Sequence, residues 1–126
     1  MKKTCLLIDD DEDDQEIFKI ALRRSALDFE CLTAGSGIDA LQLLMKEPGT
    51  VPDYILLDLN MPGMDGRQTL TELKKLRSLS HTPVIIYTTS SYIGDIKETK
   101  SLGADNYIVK PGSITDLVTI LKNTLK

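Results

Sequence analysis

The chain has 126 residues, of which 41% are hydrophobic and 27% charged, with a formal net charge of −4. That length supports one domain, residues 1–126, around a single core, and the balance is ordinary for a soluble globular protein. An acidic chain without a basic cluster disfavours DNA or RNA as a partner, and Met1-Lys2-Lys3 with its few following apolar residues is too short for a signal peptide or membrane span, so a cytoplasmic location is expected.

Residues 4–8 form a short apolar run that reads as a first strand, and six acids follow it at once: Asp9, Asp10, Asp11, Glu12, Asp13 and Asp14. Clustered carboxylates at the end of a buried strand repel one another, and a cation or protonation relieves them. Oxygen ligands with no His or Cys nearby suit a hard ion, most naturally Mg²⁺. For Glu12, Asp13 and Asp14 a solvated first helical turn is the simpler account, because the helix dipole favours negative charge there. That account is weaker for Asp9 and Asp10, since α/β proteins place their sites at the ends of parallel strands.

Residues 13–25 carry Ile17, Phe18, Ala21 and Leu22 at helical spacing. A second strand is expected over 29–34, closed by Gly35-Ser36-Gly37. A second helix over 38–46 rests on Ile38, Leu41, Leu44 and Met45, and Pro48-Gly49 ends it. Residues 54–57 are a continuous apolar run, the pattern of a strand buried on both faces. A third helix over 66–77 is carried by Leu70 and Leu73. A fourth strand spans 84–87, with Pro83 at its entry. Residues 91–102 are the weakest helix, apolar only at Ile93, Ile96 and Leu102 and weakened by Gly94. Residues 106–109 are the fifth strand, and 113–125 the last helix, with Ile114, Leu117, Val118, Leu121 and Leu125 on one face. Cys5 and Cys31 fall in strand-like runs and read as buried, reduced thiols.

Strict alternation of strands and helices implies an α/β fold, with a parallel sheet, right-handed crossovers and helices on both faces. For five strands and five helices the common doubly wound, flavodoxin-like order is 2-1-3-4-5, with its crevice beyond the carboxyl ends of strands 1 and 3. In that order Asp9-Asp10, Asp58, Thr88-Thr89 and Lys110-Pro111 all lie on one edge. Strands 1 and 3 would be neighbours about 4.8 Å apart, so their carboxylates can share one cation. Lys110 lies two strands from Asp58, roughly 10 Å, which its stem can largely bridge. In isolation each residue has a plainer reading: a capping Asp, a solvated Lys, a Thr favoured in strands. Together, three carboxylates, an ammonium and a hydroxyl around a dication describe phosphoryl transfer, with an Asp able to accept the group.

The chain resembles a response-regulator receiver domain, the phosphorylatable module of two-component signalling. The resemblance spans essentially the whole length. It is most specific at Asp53-Tyr54-Ile55-Leu56-Leu57-Asp58-Leu59-Asn60-Met61-Pro62-Gly63-Met64-Asp65-Gly66, with further matches over residues 83–88 and 103–111. It implies that Asp58 is phosphorylated, that Asp10 and Asp58 hold Mg²⁺ directly, and that Asn60 adds its backbone carbonyl. Asp9 would act through bound water, with Asp11 replacing Asp10 as ligand if the first strand ends one residue later. Lys110 would contact the phosphoryl oxygens, Thr88 and Tyr107 would form the switch, and Lys110-Pro111 would be cis. The phosphodonor would be a sensor histidine kinase or a histidine phosphotransfer protein. The output would be a changed surface on the fourth helix, fifth strand and fifth helix, offered to a downstream protein or used to relay phosphate. With Lys126 as the last residue, no output domain is expected, as in the chemotaxis-type single-domain regulators. Gly112 stands where the family often has an aromatic residue, and Thr89 where it often has Ala or Gly.

Two other classes compete. A flavin-binding electron carrier of the same fold needs phosphate-cradling donors after strand 1, where this chain has six acids, and it has no Trp to stack on a flavin. A haloacid-dehalogenase-type phosphatase would use Asp9 and Asp11, which fit its motif only because every neighbour is acidic, and a cap domain is missing. Absence of yellow colour in the purified protein would argue against the first, and rapid multiple turnover of small phosphate esters would favour the second. At most slow self-catalysed phosphorylation and dephosphorylation is expected, not enzymatic turnover.

Overall fold

The computed structural model describes residues 2–46 and 51–126, so the expected stop at Pro48-Gly49 lies outside the described residues. The elements in order are β1 (Lys3–Ile8), α1 (Glu12–Arg24), β2 (Phe29–Ala34), α2 (Gly37–Lys46), β3 (Tyr54–Leu57), α3 (Gly66–Lys74), a 3₁₀ turn (Arg77–Leu79), β4 (Val84–Thr88), α4 (Ile93–Ser101), β5 (Asn106–Val109) and α5 (Ile114–Thr124). All strand pairs are parallel and the sheet order is β2-β1-β3-β4-β5, as expected for a doubly wound fold. None of the described helices is long and apolar enough to cross a membrane.

Alternation along the central strands divides the core in two. Leu6, Ile8, Ile55, Leu57, Val84 and Ile86 point to the side covered by Ala40 and Leu44 of α2 and Leu70 and Leu73 of α3. Cys5, Leu7, Leu56, Ile85 and Tyr87 point to the other, against Phe18, Ala21 and Leu22 of α1 and Leu117, Leu121 and Leu125. Burial on both faces is why these strands read as unbroken apolar runs.

Helix faces were less legible. Ile17, Ile38 and Met45, expected to face the core, are exposed, and α2 buries Gly37 and Ala40 instead. At Gly37 the missing side chain lets this helix approach α3, where an added β-carbon would lie 2.1 Å from the Thr69 hydroxyl oxygen, which a search for large apolar side chains overlooks. The third helix stops at Lys74, and the remainder of its expected span passes into the 3₁₀ turn. Cys31 is half-buried because β2 is an edge strand; it sits opposite Cys5 in register, and both thiols are free. Among the described residues every peptide bond is trans, so the cis bond expected at Lys110-Pro111 is not observed. The two isomers before proline differ by only about 0.5–1 kcal/mol, so local packing can select either.

The α4 helix is the marginal element. Only Thr99 of its residues is buried, and its N-cap, Tyr92, supplies no side-chain hydrogen bond. It is tied to α3 by charge instead: the Arg67 guanidinium donates to Asp95 and Glu98. Half-exposed pairs of this kind contribute about 0–1 kcal/mol each, a weak anchor beside the packing that holds α1 and α5.

The first residue of α3 controls how closely that helix meets the strand that precedes it. A β-carbon on Gly66 would lie 2.4 Å from the Asp58 carbonyl oxygen and 2.5 Å from the Leu59 α-carbon. Both are backbone atoms and cannot step aside cheaply. Gly66→Ala is therefore expected to cost about 1–3 kcal/mol in chemical denaturation. Gly112→Ala, with nothing within 4 Å of the added carbon, should stay within about 0.5 kcal/mol of the parent. Equal stabilities for the two variants would show that α3 does not depend on this approach.

Candidate functional site

Backbone pairing continues past the ends of the strands and assembles the site. The Asp9 N–H donates to the Ala34 carbonyl, that of Asp58 to the Ile8 carbonyl, and that of Lys110 to the Thr88 carbonyl. Asp9, Asp58, Thr88 and Lys110 consequently line one edge. Asp9 is fully buried, Asp58 is 6% exposed and Thr88 fully buried, while Asp10 is exposed.

Asp9, Asp10 and Asp58 each present a carboxylate oxygen within 4.8 Å of the others. This oxygen-only donor set fits a hard dication. Asp11 does something else. Its side chain caps α1, accepting from the N–H groups of Asp13 at 2.9 Å and Asp14 at 3.2 Å. Of the two alternatives left open by the acid run, the geometry thus puts Asp10 in the cluster and Asp11 on the helix. Both Asp9 oxygens already have partners, the Asp11 N–H at 3.0 Å and the Lys110 ammonium at 2.8 Å. Asn60 lies just beyond, its N–H 3.5 Å from an Asp58 oxygen.

Lys110 reaches farther than expected. Its Nζ is 2.8 Å from Asp9, 2.8 Å from Asp14 and 3.7 Å from Asp58. It lies 5.3 Å from the centre of the Tyr87 ring, which in turn meets Phe18 edge-on at 5.6 Å. Asp14, read from sequence as part of a solvated turn, is therefore an ion-pair partner, and Tyr87 a floor under the ammonium. Nothing in a row of six acids distinguishes the one that faces back over the strand end.

The electrostatics follow from this crowding. Burial pushes the Asp9 carboxyl above its ordinary range, and the Lys110 contact offsets only part of that. Burial opposes the charge on Lys110, but the hydrogen bonds it donates to Asp14 and Asp9 and the Asp58 charge outweigh it and raise its pKa. Burial likewise pushes the Tyr87 hydroxyl up to about 12.

The two expected switch residues differ in state. Thr88 Oγ1 is buried and has no hydrogen-bond partner among the described residues. Tyr107 is half-buried, and its hydroxyl donates to the Ser90 carbonyl at 2.8 Å. Ser90 in turn donates to Asp95, which also accepts from Arg67, so the ring is tied to the start of α4.

Residues 5–122 match the response regulator receiver domain. The chain belongs to this family. It is 32% identical over 124 residues to the response regulator Rcp1 of Synechocystis sp. (strain ATCC 27184 / PCC 6803 / Kazusa), covering 95% of this chain and 84% of that protein. Among solved structures, the phosphorylated cyanobacterial phytochrome response regulator RcpA aligns with a TM-score of 0.87 at 33% identity, over 98% of this chain and 91% of RcpA. The Mn²⁺-bound form of Rcp1 aligns with a TM-score of 0.83 at 30% identity, over 96% and 90% of the two chains. Receiver domains are signalling proteins that are phosphorylated and bind a divalent metal. Membership sets aside the electron-carrier and phosphatase readings.

For this receiver domain, a divalent cation at about a hundred times its Kd should raise stability by about 2.7 kcal/mol. Asp10→Asn should weaken divalent-cation binding by about tenfold or more, because the cluster loses one of its three carboxylates. Asp11→Asn should leave affinity within about twofold, since Asn caps a helix nearly as well as Asp. Equal weakening by both variants in a fluorescence or calorimetric titration would put Asp11 among the ligands.

Proposed function

We propose that this receiver domain accepts a phosphoryl group on Asp58 from a phosphohistidine of a sensor histidine kinase or histidine phosphotransfer protein. The observation that carries the proposal is Asp58 itself: a nearly buried carboxylate, clustered with Asp9 and Asp10 and 3.7 Å from the Lys110 ammonium. In the transfer, an Asp58 oxygen bonds to phosphorus as the P–N bond to the histidine breaks, and the departing imidazole takes up a proton. Mg²⁺, held by Asp10 and Asp58 with the Asn60 carbonyl, would neutralise charge on the phosphoryl oxygens. Asp9 is expected to act through water, since Lys110 and the Asp11 N–H already occupy its oxygens. Lys110 offers its charge to the phosphoryl group as that group arrives.

Thr88 supports the switch. An unpaired buried hydroxyl costs about 1–3 kcal/mol, and a phosphoryl oxygen on Asp58 would give it an acceptor. Moving Thr88 inward would loosen the neighbouring strand end, and Tyr107, linked through Ser90 to Asp95, would carry that change to α4. Weakly anchored elements are the ones that shift. The α4–β5–α5 surface would then bind a downstream protein or pass the phosphate on. A cytoplasmic location suits phosphoryl exchange with a kinase.

Incubated with Mg²⁺ and acetyl phosphate, the wild type should gain one phosphoryl mass and Asp58→Asn none. Equal labelling of both would remove Asp58 from the mechanism. For the switch, amide NMR spectra with and without beryllofluoride should show shifts running from the site through α4 to Tyr107. In Thr88→Ala they should remain near Asp58; identical far-reaching shifts in both proteins would count against a role for the Thr88 hydroxyl.

A further inference from the structure

An ammonium has three N–H donors. In Lys110 two of them are directed to carboxylates at 2.8 Å, one on Asp9 and one on Asp14, while Asp58 stands outside hydrogen-bond reach at 3.7 Å. The residue that receives the phosphoryl group is thus the most distant of the three carboxylates. The side chain of Lys110 is only 9% exposed and passes over Tyr87, so its freedom is confined to a short swing between Asp14 and Asp58. Asp9 borders Lys110 at either end of that swing. Asp14 borders it at one end only.

Asp14 is not needed for anything else visible at this end of α1. Asp11 provides the cap, and Glu12 and Asp13 already place acids in the first turn, with no ion pair of their own among the described residues. Gln15 donates to the Asp9 carbonyl at 2.6 Å and fixes this turn over the strand end, which aims Asp14 at Lys110.

We propose that Asp14 is a positioning residue that holds the Lys110 ammonium on the α1 side of the cluster, so that a phosphoryl group on Asp58 obtains Lys110 only in competition with it. This rests on the phosphoacceptor reading of Asp58 and adds to it a resident competitor within the site. Asp14 is suited to the part because its side chain is 31% exposed: once released, water can take the place of Lys110. A contact at that depth is weak enough to be exchanged and strong enough to bias the resting state.

The competition is an equilibrium, so beryllofluoride affinity at saturating Mg²⁺ reads it directly. Asp14→Asn should bind beryllofluoride more tightly than wild type, by about one-and-a-half- to fivefold, the range expected for a partly exposed ion pair. Asp14→Glu should restore wild-type affinity. In a Lys110→Gln background Asp14→Asn should have no effect; the same gain there would mean simple relief of charge repulsion and overturn the proposal, as would no gain in the parent. A second readout needs neither metal nor phosphoryl mimic: the ¹⁵Nζ ammonium signal of Lys110 should be protected from solvent exchange in wild type and lose that protection in Asp14→Asn. An unchanged Lys110 signal overturns the proposal even if Lys110→Gln folds poorly. If wild type neither binds beryllofluoride nor accepts phosphate at Asp58, the phosphoacceptor reading fails separately, and the ammonium signal still decides whether Asp14 holds Lys110.

Discussion

Carboxylate crowding at the carboxyl edge of the sheet is the constraint around which this protein is arranged. Asp9 is fully buried, Asp58 nearly so, and Asp10 lies within 4.8 Å of both. Lys110, directly after β5, crosses the edge to answer them, the one cation paired with them among the described residues. Stripping a buried carboxylate of its only cationic partner costs about 3–5 kcal/mol, so the position of Lys110 is strongly held. Tyr87 beneath it, braced by Phe18 of α1, keeps the path of the lysine stem in place. The end of β5, the floor of the site and the first turn of α1 are therefore parts of one electrostatic solution.

That solution leaves negative charge in excess, and the proposed chemistry of the site rests on that excess. One ammonium faces four carboxylates: Asp9, Asp14 and Asp58 at the contacts described and Asp10 alongside. A dication would lower the repulsion, and in the proposed reading its charge together with that of Lys110 would stabilise an incoming phosphoryl group. Thr88 adds a buried hydroxyl with no hydrogen-bond partner among the described residues.

Stability is distributed unevenly around this edge. The central strands are buried on both faces, and α1 and α5 pack through Phe18, Leu22, Leu117 and Leu121. Gly66 lets α3 sit directly on the backbone of Asp58 and Leu59, so that strand end has little room to move. The opposite holds at α4, which buries one threonine and depends on Arg67 for its attachment. A change at Asp58 thus meets a stiff neighbour on one side and a loosely held one on the other. In the proposed switch, motion would follow the looser element.

The sequence by itself determined the elements, their alternation and, through base rates for five-stranded doubly wound sheets, the order in which they lie. It also named the residues that meet at the edge, because Asp9, Asp58, Thr88 and Lys110 each directly follow an apolar run, with Asp10 next after Asp9, and strand ends are visible as changes of polarity. Tertiary structure alone decided which acid does what. Asp11 caps α1, Asp14 turns back to Lys110 and Asp10 joins the cluster, yet in sequence they are like residues within one unbroken run. It decided the helix faces too: Ile38 and Met45 carry the hydrophobicity of core residues but are exposed, while Gly37 and Ala40 are buried because close approach favours small side chains. The Arg67 tether and the Tyr107–Ser90 bond were likewise beyond reach. Periodicity records how each segment packs its own face, whereas such contacts join residues far apart in the chain, and only the folded sheet brings them together.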